Sequence, residues 1–260
     1  MHPSALDQRW AVAADVAREA GRRARAAFHD RSSLTVEKKG HQDFVSEADR
    51  AVERFVRESL AGAFPTDTVW GEEGGGGLSP ATWIVDPIDG TTNFLRGFPY
   101  YSVSIGFVAG GRTEIGLIYD PTADELFSAR RGGGAWLGTR RLRVREQPGL
   151  VDALVALGRS ERAPEPSIDQ LVRDLLEAGA EFRRLGSAAL ALAHVADGRL
   201  DGFFEAHLNS WDAVAGLLLV QEAGGRIRDF PGAGGLEEGG LVLAASPGVF
   251  EPLEALLGPA

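Results

Sequence analysis

Apolar and polar positions along this chain follow two periods, and the change of period divides it. Over residues 6–28 the apolar positions Trp10, Ala13, Ala14, Ala17 and Ala20 share one helical stripe, with Asp15, Arg18, Glu19 and Arg22 off it. A second helix is predicted over 46–60, where Ser46 suits an N-cap and Val52, Phe55, Val56 and Leu60 recur at helical spacing. The period then drops to two. Residues 82–85 read as a buried strand ending at Asp86. Strands over 101–108, 113–119, 125–130 and 135–137 are separated by turns rich in Gly, Asp and Pro, which predicts an antiparallel meander.

Past Gln147-Pro148-Gly149 the elements alternate. Strands are predicted over 153–157, 202–205, 226–228 and 241–244, and helices over 168–178, 187–196, 211–222 and 247–257, with Gly224-Gly225 stopping the third of these. The expectation is therefore two halves, 1–148 of α+β character and 149–260 of α/β character, with no internal repeat.

The 260 residues suffice for one large domain or two modest ones, and an apolar content of 44% is ordinary for a globular protein. A net charge of -10 argues against nucleic acid as a main partner. An acidic protein can still bind a phosphorylated small molecule if cations bridge the two. The absence of cysteine excludes disulfides, thiolate nucleophiles and zinc–thiolate sites, and fits a reduced cytoplasmic setting. The N-terminus carries no secretory pattern, and the apolar run 213–220 is too short to span a bilayer, so no membrane role is expected.

The densest chemistry lies in Val85-Asp86-Pro87-Ile88-Asp89-Gly90-Thr91-Thr92-Asn93-Phe94. Pro87 forces a turn after the strand, and Gly90 permits an unusual backbone angle. Asp86 and Asp89 repel at this spacing, so either one is protonated or a cation holds both ionised. Oxygen ligands without neighbouring His or Cys favour Mg²⁺ or Mn²⁺. A short helix opening at Thr91 would offer N–H groups to an anion such as phosphate. A plainer reading is an Asp-Pro turn in which Asp89 caps a helix. Plain readings also exist for the other acids. Glu72 and Glu73 suit a solvated loop, and Asp49 and Asp212 each suit the first turn of a helix.

Taken together and in order, DFVSEAD at 43–49, GEE at 71–73, DPIDGTTNF at 86–94, GSAA at 186–189 and WDAVAG at 211–216 resemble the inositol monophosphatase family, over nearly the whole chain. The resemblance implies a layered αβαβα sandwich of the inositol monophosphatase and fructose-1,6-bisphosphatase type. It implies a Mg²⁺-dependent, lithium-sensitive phosphatase that uses two or three ions and metal-activated water. Glu72, Asp86, Asp89, Asp212 and the carbonyl of Ile88 would be the metal ligands. Asp49 and Thr91 would orient and deprotonate the attacking water, with Glu72 beside them. Asp89, Gly90, Thr91, Gly186, Ser187, Ala188, Glu205 and Asp212 would contact substrate, Gly90 and Thr91 through the phosphate and Glu205 through sugar or inositol hydroxyls. Lys38 stands where the family often has a lysine near the metals. A homodimer is implied as well.

Two stretches depart from the family pattern. His207 lies between Glu205 and Trp211, where it either faces the leaving group or is a solvent-facing turn histidine. The glycines at 74–77 predict a flexible loop, which weakens the expectation of a third ion. The implied substrate is a small polyol or sugar phosphate, myo-inositol 1-phosphate first. Histidinol-phosphate, fructose-1,6-bisphosphate and nucleotide 3'-phosphate stand as alternatives within the chemistry, and a regulatory binding protein as an alternative outside it.

Overall fold

The structure is a computed structural model that describes residues 3–30, 35–40, 43–160 and 168–257. Helices α1 (Pro3–His29) and α2 (Glu47–Ala63) enclose an antiparallel hairpin of β1 (Val36–Gly40) and β2 (Asp43–Ser46). A seven-stranded sheet follows, ordered β3 (Thr68–Gly71), β4 (Ala81–Asp89), β5 (Ser102–Ala109), β6 (Arg112–Asp120), β7 (Glu125–Arg130), β8 (Gly134–Leu137) and β9 (Arg140–Arg141). The meander holds from β4 to β9, whereas β3 joins parallel to β4. The short helix α3 (Thr91–Arg96) links β4 to β5.

The second half contributes β10 (Leu154–Leu157), α4 (Ile168–Glu177), β11 (Glu181–Arg183), α5 (Ala188–Ala196) and β12 (Gly202–Leu208). It ends with α6 (Ser210–Glu222), β13 (Arg226–Ile227), α7 (Gly235–Glu238), β14 (Gly240–Ala245) and α8 (Pro247–Leu256). Its strands form a mixed five-stranded sheet in the order β11-β10-β12-β14-β13.

The layers stack as helix, sheet, helix, sheet, helix. Helices α1 and α2 cover the outer face of the large sheet, α5 and α6 lie between the sheets, and α4 and α8 cover the small sheet. This order explains the sequence periods. The outer helix α1 buries Ala13, Ala14, Ala17, Ala20 and Ala24 on one stripe. Helix α6 buries Ala213 to Val220 on every side, because a middle layer has no solvent face. Each leucine buried there contributes about 1.5–3 kcal/mol. Among the described residues no helix is long and apolar enough to cross a membrane.

Several elements depart from the sequence pattern, among them β3, β9 and α7, over which no strand or helix is predicted. The hairpin β1–β2 and edge strand β11 have little alternation, and β12 runs three residues beyond Glu205 to Leu208. A register shift between Glu205 and Leu208, opposite Val242 and Gly240, makes that extension possible.

Candidate active site

The site forms where the strand ends of the large sheet meet three helix N-termini. Parallel pairing sets Gly71 beside Val85, and the Glu72 amide donates to Val85 O at 3.2 Å. Glu72 and Asp86 therefore leave neighbouring strands side by side. Pro87 lacks an N–H, and the β4–β5 register shifts between Asp86 and Asp89. Within that bulge the Ile88 amide donates to Asp86 Oδ1 at 3.0 Å. Carboxylate oxygens of Asp86, Asp89 and Asp212 come within 4.8 Å of one another.

Each remaining acid is held by a helix start. Asp49 is the third residue of α2, and its Oδ2 accepts from the Ser46 amide at 2.9 Å and from Ser46 Oγ at 2.5 Å. Asp212 holds the same position in α6, where the Asn209 amide donates to its Oδ2 at 2.9 Å. Asp89 does cap a helix, but the helix is the distant α5 rather than its neighbour α3. Its oxygens accept from Ser187 Oγ, from the Ala188 amide at 3.1 Å and from the Ala189 amide at 2.9 Å. Helix α3 starts instead at Gly90, whose φ of 97° suits glycine. Three helix N-termini thus point positive ends at carboxylates, each worth about 0.3–1 kcal/mol.

Even so, the acids strain against one another. Burial, then Glu72, Asp89, Asp212 and Asp49, push the Asp86 carboxyl well above its usual range. Burial raises Asp89 and Asp49 as well, against the hydrogen bonds that lower them. Protonation or a cation relieves such a cluster. The donors are all oxygen, which suits a hard divalent ion. Thr91 Oγ1 lies 3.0 Å from Ile88 O and 3.2 Å from Asp49 Oδ1, so its single proton can serve either acceptor.

A cavity of about 610 Å³ opens from Asp89 and Asp212 toward Glu205, lined also by Gly186, Ser187, Ala188, His207 and Arg184. Glu205 is pushed up to about 8 by burial, then by Asp212 and Asp89, with Arg184 opposing. His207 corrects its turn assignment. It lies within β12 at the register shift, half-buried, and lines the cavity.

The structure also supplies residues that the motifs did not single out. Asn93 Nδ2 donates to Tyr100 O and Leu185 O, both at 2.8 Å, and so ties the 184–187 loop to α3. Trp70 and Trp211 meet edge to face at 5.9 Å, bracing the stretches that carry Glu72 and Asp212. The loop after Glu73 is not left loose. Its Glu73 and Gly74 amides donate to Glu53 at 2.7 and 2.8 Å. The Lys38 side chain lies outside the described residues.

Fold and site define the class, a layered αβ sandwich with a buried acidic centre able to hold cations. Residues 5–256 match the model of the inositol monophosphatase family. An inositol-1-monophosphatase of Rhizobium meliloti is 41% identical over 244 residues, covering 92% of each chain. A protein of Pasteurella multocida named Nus factor SuhB is 38% identical over 247 residues, covering 93% of this chain and 92% of its own. The crystal structure of an extragenic suppressor protein SuhB from Bartonella henselae has a TM-score of 0.88 at 36% identity, covering 96% of this chain and 98% of its own. The chain belongs to the inositol monophosphatase family.

Proposed function

We propose that this protein hydrolyses the phosphate monoester of a small polyol or sugar, myo-inositol 1-phosphate first, as a cytoplasmic homodimer that requires Mg²⁺ and is inhibited by Li⁺. The observation that carries the reading is the adjacency of two things: a Thr91–Asp49 pair built to accept a proton, and a buried cluster of carboxylates beside it. Glu72, Asp86, Asp89, Asp212 and the Ile88 carbonyl would hold the ions. That carbonyl accepts one bond from Thr91 and keeps a second lone pair. When bound, the ions neutralise phosphoryl charge and make water more acidic.

The chain's own groups do the rest. As a water oxygen bonds to phosphorus, its proton passes to Thr91 Oγ1 while the threonine proton passes to Asp49 Oδ1. The raised pKa of Asp49 makes it the better base for that transfer. The bond from phosphorus to the leaving oxygen breaks, and solvent supplies the proton that completes the alcohol. Glu205 lines the same cavity as Asp89 and is suited to bind the hydroxyls of the leaving group.

Relatives named Nus factor SuhB support a second reading, in which the same fold also serves a regulatory binding role. A phosphate-release screen with Mg²⁺, with and without Li⁺, across inositol, histidinol, fructose and nucleotide phosphates tests the first. Turnover of inositol 1-phosphate that Li⁺ suppresses is expected. Failure on every substrate would leave the binding role as the better account.

A further inference from the structure

Glu53 is a carboxylate buried to 3% exposure in the middle of α2, and it is not one of the clustered acids Asp86, Asp89 and Asp212. Its oxygens accept from the Glu73 amide at 2.7 Å, the Gly74 amide at 2.8 Å and Arg57 Nη2 at 2.8 Å. Arg57 in turn donates to Val69 O at 2.6 Å and Gly75 O at 3.0 Å. The pair therefore grips the chain on both sides of Glu72. The fit is close, since a Cβ at Gly71 or Gly74 would meet a Glu53 carboxylate oxygen at 2.5 Å. A charged acceptor with two amide donors and a guanidinium holds backbone more firmly than neutral bonds do.

The sequence spacing gives this grip a second consequence. Asp49, Glu53 and Arg57 follow at intervals of four, so they share one stripe of α2. The base that faces Thr91 and the anchor of the Glu72 loop are thus parts of one rigid element. We propose that Glu53, with Arg57, is a positioning residue that fixes Glu72 relative to Asp86 and Asp49 and thereby sets the affinity of the site for a divalent cation. The inference rests on the phosphatase reading for its consequence in turnover, but not for its consequence in ion binding.

The test is calorimetric titration of Mg²⁺ into the whole protein without substrate, beside phosphate release at rising Mg²⁺. Glu53→Ala is expected to weaken Mg²⁺ binding about tenfold or more, and Glu53→Gln, which keeps the shape and one acceptor, by less. Turnover at saturating Mg²⁺ should recover to within about threefold of the parent. Asp201→Asn, which alters a buried carboxylate just before β12 that accepts from the Leu154 amide, should lower the melting temperature without moving the Mg²⁺ affinity. If Glu53→Ala does not fold, Arg57→Met serves in its place, with a smaller loss in the same direction. Unchanged affinity in these variants would overturn the proposal, as would a loss of turnover that Mg²⁺ does not restore. A parent that binds Mg²⁺ yet hydrolyses no substrate would sink the phosphatase reading alone.

Discussion

Thr91 Oγ1 lies 3.2 Å from Asp49 Oδ1, joining residues 42 apart in the chain. The contact places a hydroxyl between a buried carboxylate and the Ile88 carbonyl, where the proposed mechanism has a nucleophile lose its proton. Thr91→Ala and Asp49→Asn should each lower kcat by about 10² to 10⁴, the usual span of a general base, with a much smaller change in KM. Thr91→Ser keeps the hydroxyl and should retain most activity. Steady-state phosphate release measures all three. A Thr91→Ala enzyme with near-normal kcat would remove the pair from the reaction.

Cation removal should be visible in stability. Burial and four neighbouring acids hold Asp86 above its ordinary value of 3.8, so the fold binds its proton more tightly than the unfolded chain does. In a chelator this contribution is complete below about pH 3.8, and it is lost as pH rises through the raised value. A divalent ion bound there would replace the missing proton at neutral pH. Mg²⁺ at about one hundred times its Kd should therefore raise the melting temperature by roughly 5 °C or more at pH 7.5. The rise should be smaller at pH 5, where protons compete more strongly with the ion for the cluster. Thermal unfolding with Mg²⁺ and with chelator at both pH values decides the matter, and an equal rise at each would contradict it.

Much of the architecture could be read in the chain because it depends on local signals. The α1 stripe, the Ser46 cap and the meander from β4 to β9 need only near neighbours to form. The hairpin β1–β2 is local, but its sequence carries little alternation to announce it, and edge strand β11 depends on pairing with the remote β10. The site divides in the same way. Asp49 and Asp212 stand at the third position of their helices, so a capping role and a site role coincide, and local reading alone could not separate them. The partners of Asp89 lie 98 to 100 residues downstream, beyond any local pattern. Glu53 on an amphipathic helix reads as one more solvated charge. Only the tertiary packing of the Glu72 loop against α2 buries it.

Glu205 offers a pH test with its own sign. Its carboxyl is pushed up to about 8 by burial and by Asp212 and Asp89. The folded protein therefore favours the protonated form, and that stabilisation is lost as pH rises through about 8. In chelator, the melting temperature of the parent should fall more steeply between about pH 5 and 8 than that of Glu205→Gln, which has nothing to titrate there. Bound cations would offset Asp212 and Asp89 and move the fall to lower pH. Parallel curves for parent and variant would show that Glu205 does not carry the effect.

Gly158 provides a way to move Glu205 without replacing it. The Gly158 amide donates to Phe204 O at 2.8 Å, which fixes the end of β10 beside β12. A Cβ at Gly158 would lie 1.7 Å from Glu205 Oε2 and 2.9 Å from its Cβ, so alanine must drive the carboxylate aside. Overpacking of this kind costs about 1–3 kcal/mol, which a domain of ordinary stability survives. Gly158→Ala should then copy Glu205→Ala, with KM for inositol phosphate up about tenfold while an aryl phosphate changes within about twofold, as expected when one buried hydrogen bond is lost. The double variant should be no worse than either single one, because both remove the same contact. Kinetics on the two substrates across this cycle provide the measurement. An unchanged KM in Gly158→Ala, or losses that add in the double variant, would mean that Glu205 does not read the hydroxyls of the leaving group.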